Sequence, residues 1–264
     1  MPTISGLRRR GVPPGAILNF CDKVGVAKRE NIIDYALLDF CTREVLNKIS
    51  HRVMVVLDPV ELEIINYPEN KSETLTAENN QEDESYGSRK LSFSKNLYIE
   101  RDDFKEEANR KYFRLTLDKE VRLKNGYIIK GEKVEKDKEG NIKKIFCTYD
   151  PKSKSGSGSP ESLRKVKGTI HWVDKNNYEN ISVNIYDKLF LSETPGENDD
   201  GDITTQINNE SIKTFDGACA EISLRDATFD KYYQFQRKGY FKLDSKNSKI
   251  IFNRTVTLRD NIKY

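Results

Sequence analysis

Histidine is scarce in this chain, with only His51 and His171 among 264 residues. No Cys-x-x-Cys or His-x-x-x-His accompanies them, so neither a structural nor a catalytic zinc site is expected, and no other metal. Cysteine is equally sparse. Cys21, Cys41, Cys147 and Cys219 lie far apart, three of them beside a phenylalanine, and they read as buried reduced thiols rather than a disulfide frame. Long apolar runs are absent too, since nothing approaches the roughly 18 to 20 residues a membrane helix needs. The start, Met1-Pro2-Thr3, leads into Leu7-Arg8-Arg9-Arg10 with no apolar stretch behind the basic cluster. No export signal is therefore expected, and the cytoplasm is the expected compartment. The sequons at Asn70, Asn180, Asn209 and Asn253 are then chance matches.

Nucleotide-cradling loops are also missing. No Gly-x-x-x-x-Gly-Lys-Ser/Thr occurs and no Gly-x-Gly-x-x-Gly follows a strand, while Gly156-Ser157-Gly158 lies in a Ser/Gly linker. His171 stands in a strand beside Trp172 and reads as a core or surface imidazole, not a general base. Carboxylate pairs such as Glu106-Glu107, or Asp226 with Asp230, need no catalytic role in a chain with 33% charged residues. No catalytic residue is assigned.

What is present is charge in blocks. Forty-five basic and 42 acidic residues leave a net charge of only +3. Basic residues crowd 7–10, 111–144 and 152–167, and acids crowd 78–84 and 197–202. Such segregation suits a phosphate-binding face opposite an acidic one, and suits a mixed solvated surface equally.

The hydrophobic period changes along the chain. Pro13-Pro14 opens a helical stretch with Ile17, Leu18, Cys21 and Val24 on one face and Gly25 closing it. A second helix follows, with Ile33, Leu37, Phe40, Cys41, Val45 and Ile49 at helical spacing up to Ser50. From Val53 the period falls to two, across 53–57 and then Val60, Leu62 and Ile64. Residues 66–89 read as a long loop, and Phe104, Ala108 and Tyr112 allow one short helix over 102–112. Strands are predicted at 120–124, 127–135, 142–149, 168–173, 181–186, 233–237, 240–243 and 249–258. Asn125-Gly126 and Glu139-Gly140-Asn141 mark hairpins between the first three. Residues 197–211 read as a second polar loop. Many short strands without long intervening helices predict a mainly β chain forming two antiparallel barrels behind a small helical subdomain.

Blocks of residues carry a family resemblance. Residues 1–11, Arg52-Val-Met-Val-Val-Leu-Asp-Pro59, Glu106-Glu-Ala-Asn109, Lys119-Glu-Val-Arg-Leu123, Ile145-Phe-Cys-Thr-Tyr-Asp150, Val166-Lys-Gly-Thr-Ile-His-Trp-Val173 and Gln234-Phe-Gln-Arg-Lys-Gly-Tyr-Phe241 occur in this order. Together they resemble the glutaminyl-tRNA synthetase family of class I synthetases, over nearly the whole chain. The resemblance implies a helical connector at 1–50, a proximal anticodon-binding barrel from 51–92 and 176–264, and a distal barrel at 93–175. It also implies that the ATP-site motifs precede Met1, an internal methionine of a longer enzyme. Under that implication this chain alone is inactive and has no cofactor of its own, while ATP and magnesium belong to the full-length glutamine-tRNA ligase. The expected partner is tRNA(Gln), with no membrane, and the expected state is a monomer. The same region of a eukaryotic or archaeal-type glutamyl-tRNA synthetase is the alternative.

By the same resemblance, Arg52, Gln234 and Arg237 face the middle anticodon base, Arg114 the third base, and Arg122 with Lys124 the first. Asn79 is a further contact, and Lys28 and Arg29 meet the tRNA backbone. The chemistry agrees: a glutamine amide pairs with a splayed base edge, and arginine binds phosphate or stacks on bases. This chain departs from the family at Lys111, where a glutamine occurs, at Phe113, where a lysine occurs, and at Asn80-Gln81, where His-Pro often stands. Gln234 and Arg237 are three apart, so they can share a face only at a strand end or a bulge near Gly239.

Overall fold

The computed structural model describes residues 3–28, 32–192, 196 and 203–259. Three helices come first. In α1 (Ile4–Arg10) Thr3 caps the start, its hydroxyl accepting from the Gly6 N–H at 3.1 Å. Helix α2 (Pro14–Val24) begins on the expected proline and stops before Gly25. Helix α3 (Tyr35–Ile49) is capped by Asp34, whose carboxylate accepts from the Ala36 N–H at 2.9 Å. Leu7, Val12, Ala16 and Leu38 bury the apolar stripes of these helices against one another. Leu46, on the last turns of α3, packs on Tyr240 and Val256 of the β region. Helix α3 is thereby seated on the sheet that follows it.

Sixteen strands follow among the described residues. They are β1 (His51–Val53), β2 (Val55–Val56), β3 (Pro59–Ile64), β4 (Ser72–Glu78), β5 (Ser88–Ser94), β6 (Asn96–Glu100), β7 (Glu120–Leu123) and β8 (Ile128–Lys136). Next come β9 (Ile142–Tyr149), β10 (Thr169–Ile170), β11 (Trp172–Asp174), β12 (Tyr178–Tyr186), β13 (Ile212–Glu221), β14 (Tyr233–Phe235), β15 (Gly239–Ser245) and β16 (Ile251–Val256). One seven-stranded sheet runs β1-β14-β15-β16-β12-β13-β2 and another runs β10-β7-β8-β9-β3-β6-β11, with β4 and β5 forming a separate hairpin. In each large sheet the two edge strands are neighbours in sequence: Met54 alone separates β1 from β2, and His171 alone separates β10 from β11. Each sheet thus curls until one strand, broken by a single residue, pairs with both edges. These are the two barrels.

Several expectations are corrected. Four ladders are parallel (β1 with β14, β10 with β7, β12 with β16, β3 with β9), because these strands come from distant segments with no hairpin to reverse them. Residues 66–89 are no loop: Leu75 and Ala77 of β4 turn inward and pair with β5, a one-sided pattern too sparse in apolar residues to stand out. No α-helix forms over 102–112. Phe104 is drawn into the core as a bridge partner of Leu115, and Asn109 accepts from the Lys111 N–H through its side chain, a turn that competes with a helix. Strand β13 begins where the second polar loop was expected to end. Cys41, Cys147 and Cys219 are buried and free, but Cys21 is exposed.

The chain passes from the first barrel to the second earlier than the 51–92 assignment. Val60, Leu62 and Ile64 bury one face of β3 between β6 and β9, so this strand hydrogen-bonds in the second sheet. The β4–β5 hairpin follows it, its Leu75, Ala77, Leu91 and Phe93 joining the core of Trp172, Leu97 and Ile99. The crossing therefore falls at Leu57-Asp58, and the return falls between β11 and β12.

Charged side chains hold the seam. Arg89 of β5 donates to both carboxylate oxygens of Glu221 at the end of β13, and Glu221 also accepts from the Met54 N–H at 2.8 Å and from the Ser223 hydroxyl. The two side chains are 9% and 5% exposed. A buried pair broken on one side leaves an uncompensated charge. Arg89→Met is expected to lower stability by about 3 kcal/mol in urea unfolding, and Arg89→Met/Glu221→Leu to recover most of it. Equal losses in the single and double variants would show that the pair's charges are not what holds here.

Candidate nucleic-acid interface

Arg52 and Gln234 face each other in register across the parallel β1–β14 pair. The Arg52 side chain, 9% exposed, donates to Gln81 Oε1 at 3.1 Å and lies 3.5 Å from Glu82 Oε1. Gln234 Nε2 donates to the Tyr240 hydroxyl at 3.0 Å, which donates to Asn47 Oδ1 at 3.1 Å. Asn47 Nδ2 in turn donates to Glu82 Oε1 at 2.7 Å. The circuit closes, and its middle member belongs to α3. The helical connector and the two paired side chains are thus one hydrogen-bonded unit.

Asn79 serves that unit from behind. Its carbonyl accepts the Arg52 N–H at 2.7 Å, and its amide donates to the Tyr86 carbonyl at 2.9 Å. Asn80, where the family pattern is lost, is buried and donates to the Lys48 carbonyl at 2.9 Å, tying the hairpin tip to the end of α3. The acidic run at 78–84 thus stands beside Arg52 rather than on an opposite face, and the 197–202 run lies outside the described residues.

Arg237 takes a different course. Strand β14 ends at Phe235, and Arg237 adopts a left-handed backbone with φ 68°, ahead of Gly239 at φ 146°. A side chain at 239 would put its Cβ 2.6 Å from the Val256 carbonyl oxygen, so glycine is required for the turn to close. The left-handed conformation costs an L residue about 1–2 kcal/mol. An ion pair offsets it: Arg237 grips Asp103 through both terminal nitrogens, Nη2 donating to Oδ1 at 2.7 Å. Arg114 reaches the same carboxylate, Nε 3.4 Å from Oδ1, and Arg114 Nη1 donates to the Asp102 carbonyl at 2.9 Å. The expected third-base arginine and one expected middle-base arginine therefore converge on one buried acid.

Arg237 Nη1 also lies 3.1 Å from His171 Nδ1. Arginine can only donate, so this contact is a hydrogen bond only with Nδ1 as the acceptor, and Nε2 faces Glu100 Oε1 at 3.4 Å. Glu100 accepts the Leu57 N–H at 2.7 Å and pairs with Lys238 Nζ at 3.0 Å. Burial pushes the Glu100 carboxyl up, but His171, Lys238 and the Leu57 N–H together bring it down to about 2. The turn at 236–238 is thus clamped onto the second barrel beside the crossing point.

Arg122 and Lys124 were expected to share one face and one nucleotide. Arg122 instead spends both terminal nitrogens on the 152–164 loop, donating to the carbonyls of Ser153 at 3.0 Å, Ser162 at 2.9 Å and Arg164 at 3.2 Å. Lys124 lies among other charges: burial lowers its pKa first, Arg52 and Arg89 lower it further, and Glu78 raises it. Lys124 thus borders the Arg52 group, whereas Arg122 braces a loop. Lys28 is exposed, and Arg29 lies outside the described residues.

Asn47, Glu82, Asp103, Glu100 and His171 drew no functional reading from the sequence. Most of their partners lie tens to more than a hundred residues away, and no local spacing announces such contacts. Among the described residues no group of His, Cys, Asp and Glu is arranged to hold a metal ion, and no helix is long and apolar enough to cross a membrane.

Two barrels joined at a polar seam, with arginine, lysine and glutamine side chains gathered beside it, define a class. Residues 50–150 and 169–244 each match the anticodon-binding domain of class I tRNA synthetases (E and Q), and the chain belongs to that family. It is 48% identical over 263 residues to a glutamine–tRNA ligase of Vibrio vulnificus and 49% identical over 263 residues to one of Citrobacter koseri. A third, from Alteromonas mediterranea, is 45% identical over 262 residues. Each alignment covers 98% of this chain and 46% of the relative, so the chain spans about half the length of the curated relatives it matches.

Glu100 gives a pH signature. Its folded pKa of about 2 lies below its ordinary value of 4.5, so its contribution is complete above pH 4.5 and is lost as pH falls toward 2. The amount is on the order of 3 kcal/mol. Glu100→Gln is expected to flatten the stability profile over that window in urea melts at stepped pH; an unchanged slope would show that Glu100 is not the linked group.

Proposed function

We propose that this chain reads the anticodon of a glutamine tRNA as the recognition part of a glutamine–tRNA ligase. The observation that carries the proposal is the register pairing of Arg52 with Gln234 beside the joint capture of Arg114 and Arg237. Four side chains drawn from residues 52 to 237 thereby form two oriented polar groups. Gln234 uses one amide hydrogen on Tyr240 and keeps its carbonyl oxygen for a base edge, which suits a base splayed out of a loop. Arg52 and Gln234 take the middle base together, with Arg237 beside them, and Arg114 takes the third. Lys124 bears on the first base; Arg122 acts there by shaping the 152–164 loop that borders it. Asn79 supports Arg52, and Lys28 with Arg29 meets the RNA backbone.

Identity near one half to three glutamine–tRNA ligases favours glutamine over glutamate within a family that contains both. We assign the ATP-dependent ligation, with its magnesium, to the ligase as a whole and no step of it to residues of this chain. The complex is one monomer with one tRNA(Gln) in the cytoplasm.

The purified chain is expected to bind tRNA(Gln) with an affinity that falls steeply as salt rises, because phosphate contacts release counterions, and to show no glutamine-dependent ATP–pyrophosphate exchange. Filter binding and an exchange assay check both; exchange activity in the chain would overturn the binding-only assignment. Arg114→Ala and Gln234→Ala are each expected to cost about 1–3 kcal/mol on the cognate transcript and far less on transcripts with the third or middle base changed. Uniform losses across all transcripts would mean that neither side chain reads a base.

The hydrogen-bonded unit around Asn47 yields a separate expectation. Asn47→Ala opens the circuit between α3 and the Arg52–Gln234 pair and is expected to weaken discrimination at the middle base while leaving third-base discrimination intact. Titrations of the same transcript set test it, and loss at both positions would count against two separate reading groups.

A further inference from the structure

We infer that Asp103 is a positioning residue that sets the Arg114 and Arg237 guanidiniums for base contact before RNA arrives, a step that rests on the anticodon-reading function proposed above. Asp103 ends the short 3-10 turn Arg101–Asp103 and is 2% exposed. Its carboxylate takes Arg237 through two donors and Arg114 through Nε, yet the two arginine side chains remain 32% and 43% exposed. Each guanidinium is therefore fastened on one edge and open on another. Arg114 Nη2 and Arg237 Nε have no protein partner among the described residues.

A pin between barrels would need Arg237 alone. Arg114 belongs to the same barrel as Asp103, so its approach joins nothing across the seam. It brings a second like charge beside the first, which repels and is tolerated only because one buried acid lies between them. Two positive charges on one carboxylate leave a net positive charge directed outward, toward base acceptors and phosphate. The backbone maintains the arrangement: the Leu115 N–H donates to the Asp103 carbonyl at 3.0 Å, holding the residue after Arg114 against Asp103. A Cβ at Gly168 would lie 2.2 Å from the Phe113 carbonyl oxygen, so the chain at 113 is fixed by close packing on its other side. Free arginines lose rotamer entropy when they dock, and a guanidinium held in plane avoids that loss and presents its fork in one orientation. Asp103 thus acts through the arginines and touches no base itself.

The test uses the full chain and tRNA(Gln) transcripts carrying the cognate anticodon, a changed third base or a changed middle base, at one salt concentration. Asp103→Asn keeps the shape and removes the charge. It is expected to shrink the cognate-to-changed affinity ratio about tenfold at each position, with affinity for the changed transcripts nearly constant. Lys238→Met cuts the Glu100 arm of the seam, leaves Asp103 intact and is expected to keep both ratios. The inference is overturned if Asp103→Asn leaves the ratios unchanged, if it weakens all transcripts equally, or if Lys238→Met shrinks them as much. A wild-type chain that does not discriminate sinks the anticodon-reading function together with this inference, whereas discrimination that survives Asp103→Asn sinks the inference alone. Should Asp103→Asn not fold, the wild-type protein decides. The Arg114 Nε–H and the Arg237 Nη–H resonances, which face Asp103, are expected to be resolved and protected from exchange without RNA, and signals that sharpen only when tRNA is added overturn the proposal.

Discussion

A carboxylate taken out of water must be met by donors, and Glu100 and Asp103 sit where the second barrel cannot supply all of them. Both are nearly fully buried at the end of β6 and in the turn after it. Glu100 is completed by the Leu57 N–H and by Lys238, and Asp103 by Arg237, all of them from the crossing point or from the first barrel. Relative placement of the barrels is fixed by this requirement, since any rotation would strand two buried charges at a cost of several kcal/mol. The Arg89–Glu221 pair repeats the solution at another point of the seam with the charges reversed between barrels.

The same requirement shapes the proposed recognition surface. Arg237 accepts an unfavourable backbone conformation because Asp103 is waiting for it, and that turn, past the end of β14, separates it from Gln234, three residues earlier, while the β15–β16 register shifts between Tyr240 and Phe241 just beyond Gly239. The question raised by their spacing is answered by the end of a strand. Arg52 and Gln234 meet by parallel pairing of strands about 180 positions apart in sequence, a contact with no local signal, and Asn47 adds α3 to them. The proposed binding surface and the barrel seam therefore share Arg237 and Asp103.

Much of the architecture was legible in the chain. The switch of hydrophobic period near Val53, the two hairpin turns at Asn125-Gly126 and Gly140, and the capped helices before Ser50 all report local preferences, and they appear where expected. Strand β4 escaped because its outward residues are serine, glutamate and threonine and only Leu75 and Ala77 mark its inner face. The helix expected over 102–112 failed because Phe104 gains more by entering the β core than a three-residue apolar stripe gains on a wet surface. The early crossing at Leu57-Asp58 was hidden since Val60, Leu62 and Ile64 fit the interior of either barrel equally well.

By itself the sequence determined most of the elements and the two-barrel class, because periodicity and turn chemistry are properties of short stretches. Only the tertiary structure decided which side chains stand together. It joined Arg114 to Arg237 through Asp103, committed Arg122 to a loop, and linked Gln234 to Arg52 and Asn47. Those decisions rest on the need of buried acids and amides for partners that only distant parts of the chain can bring.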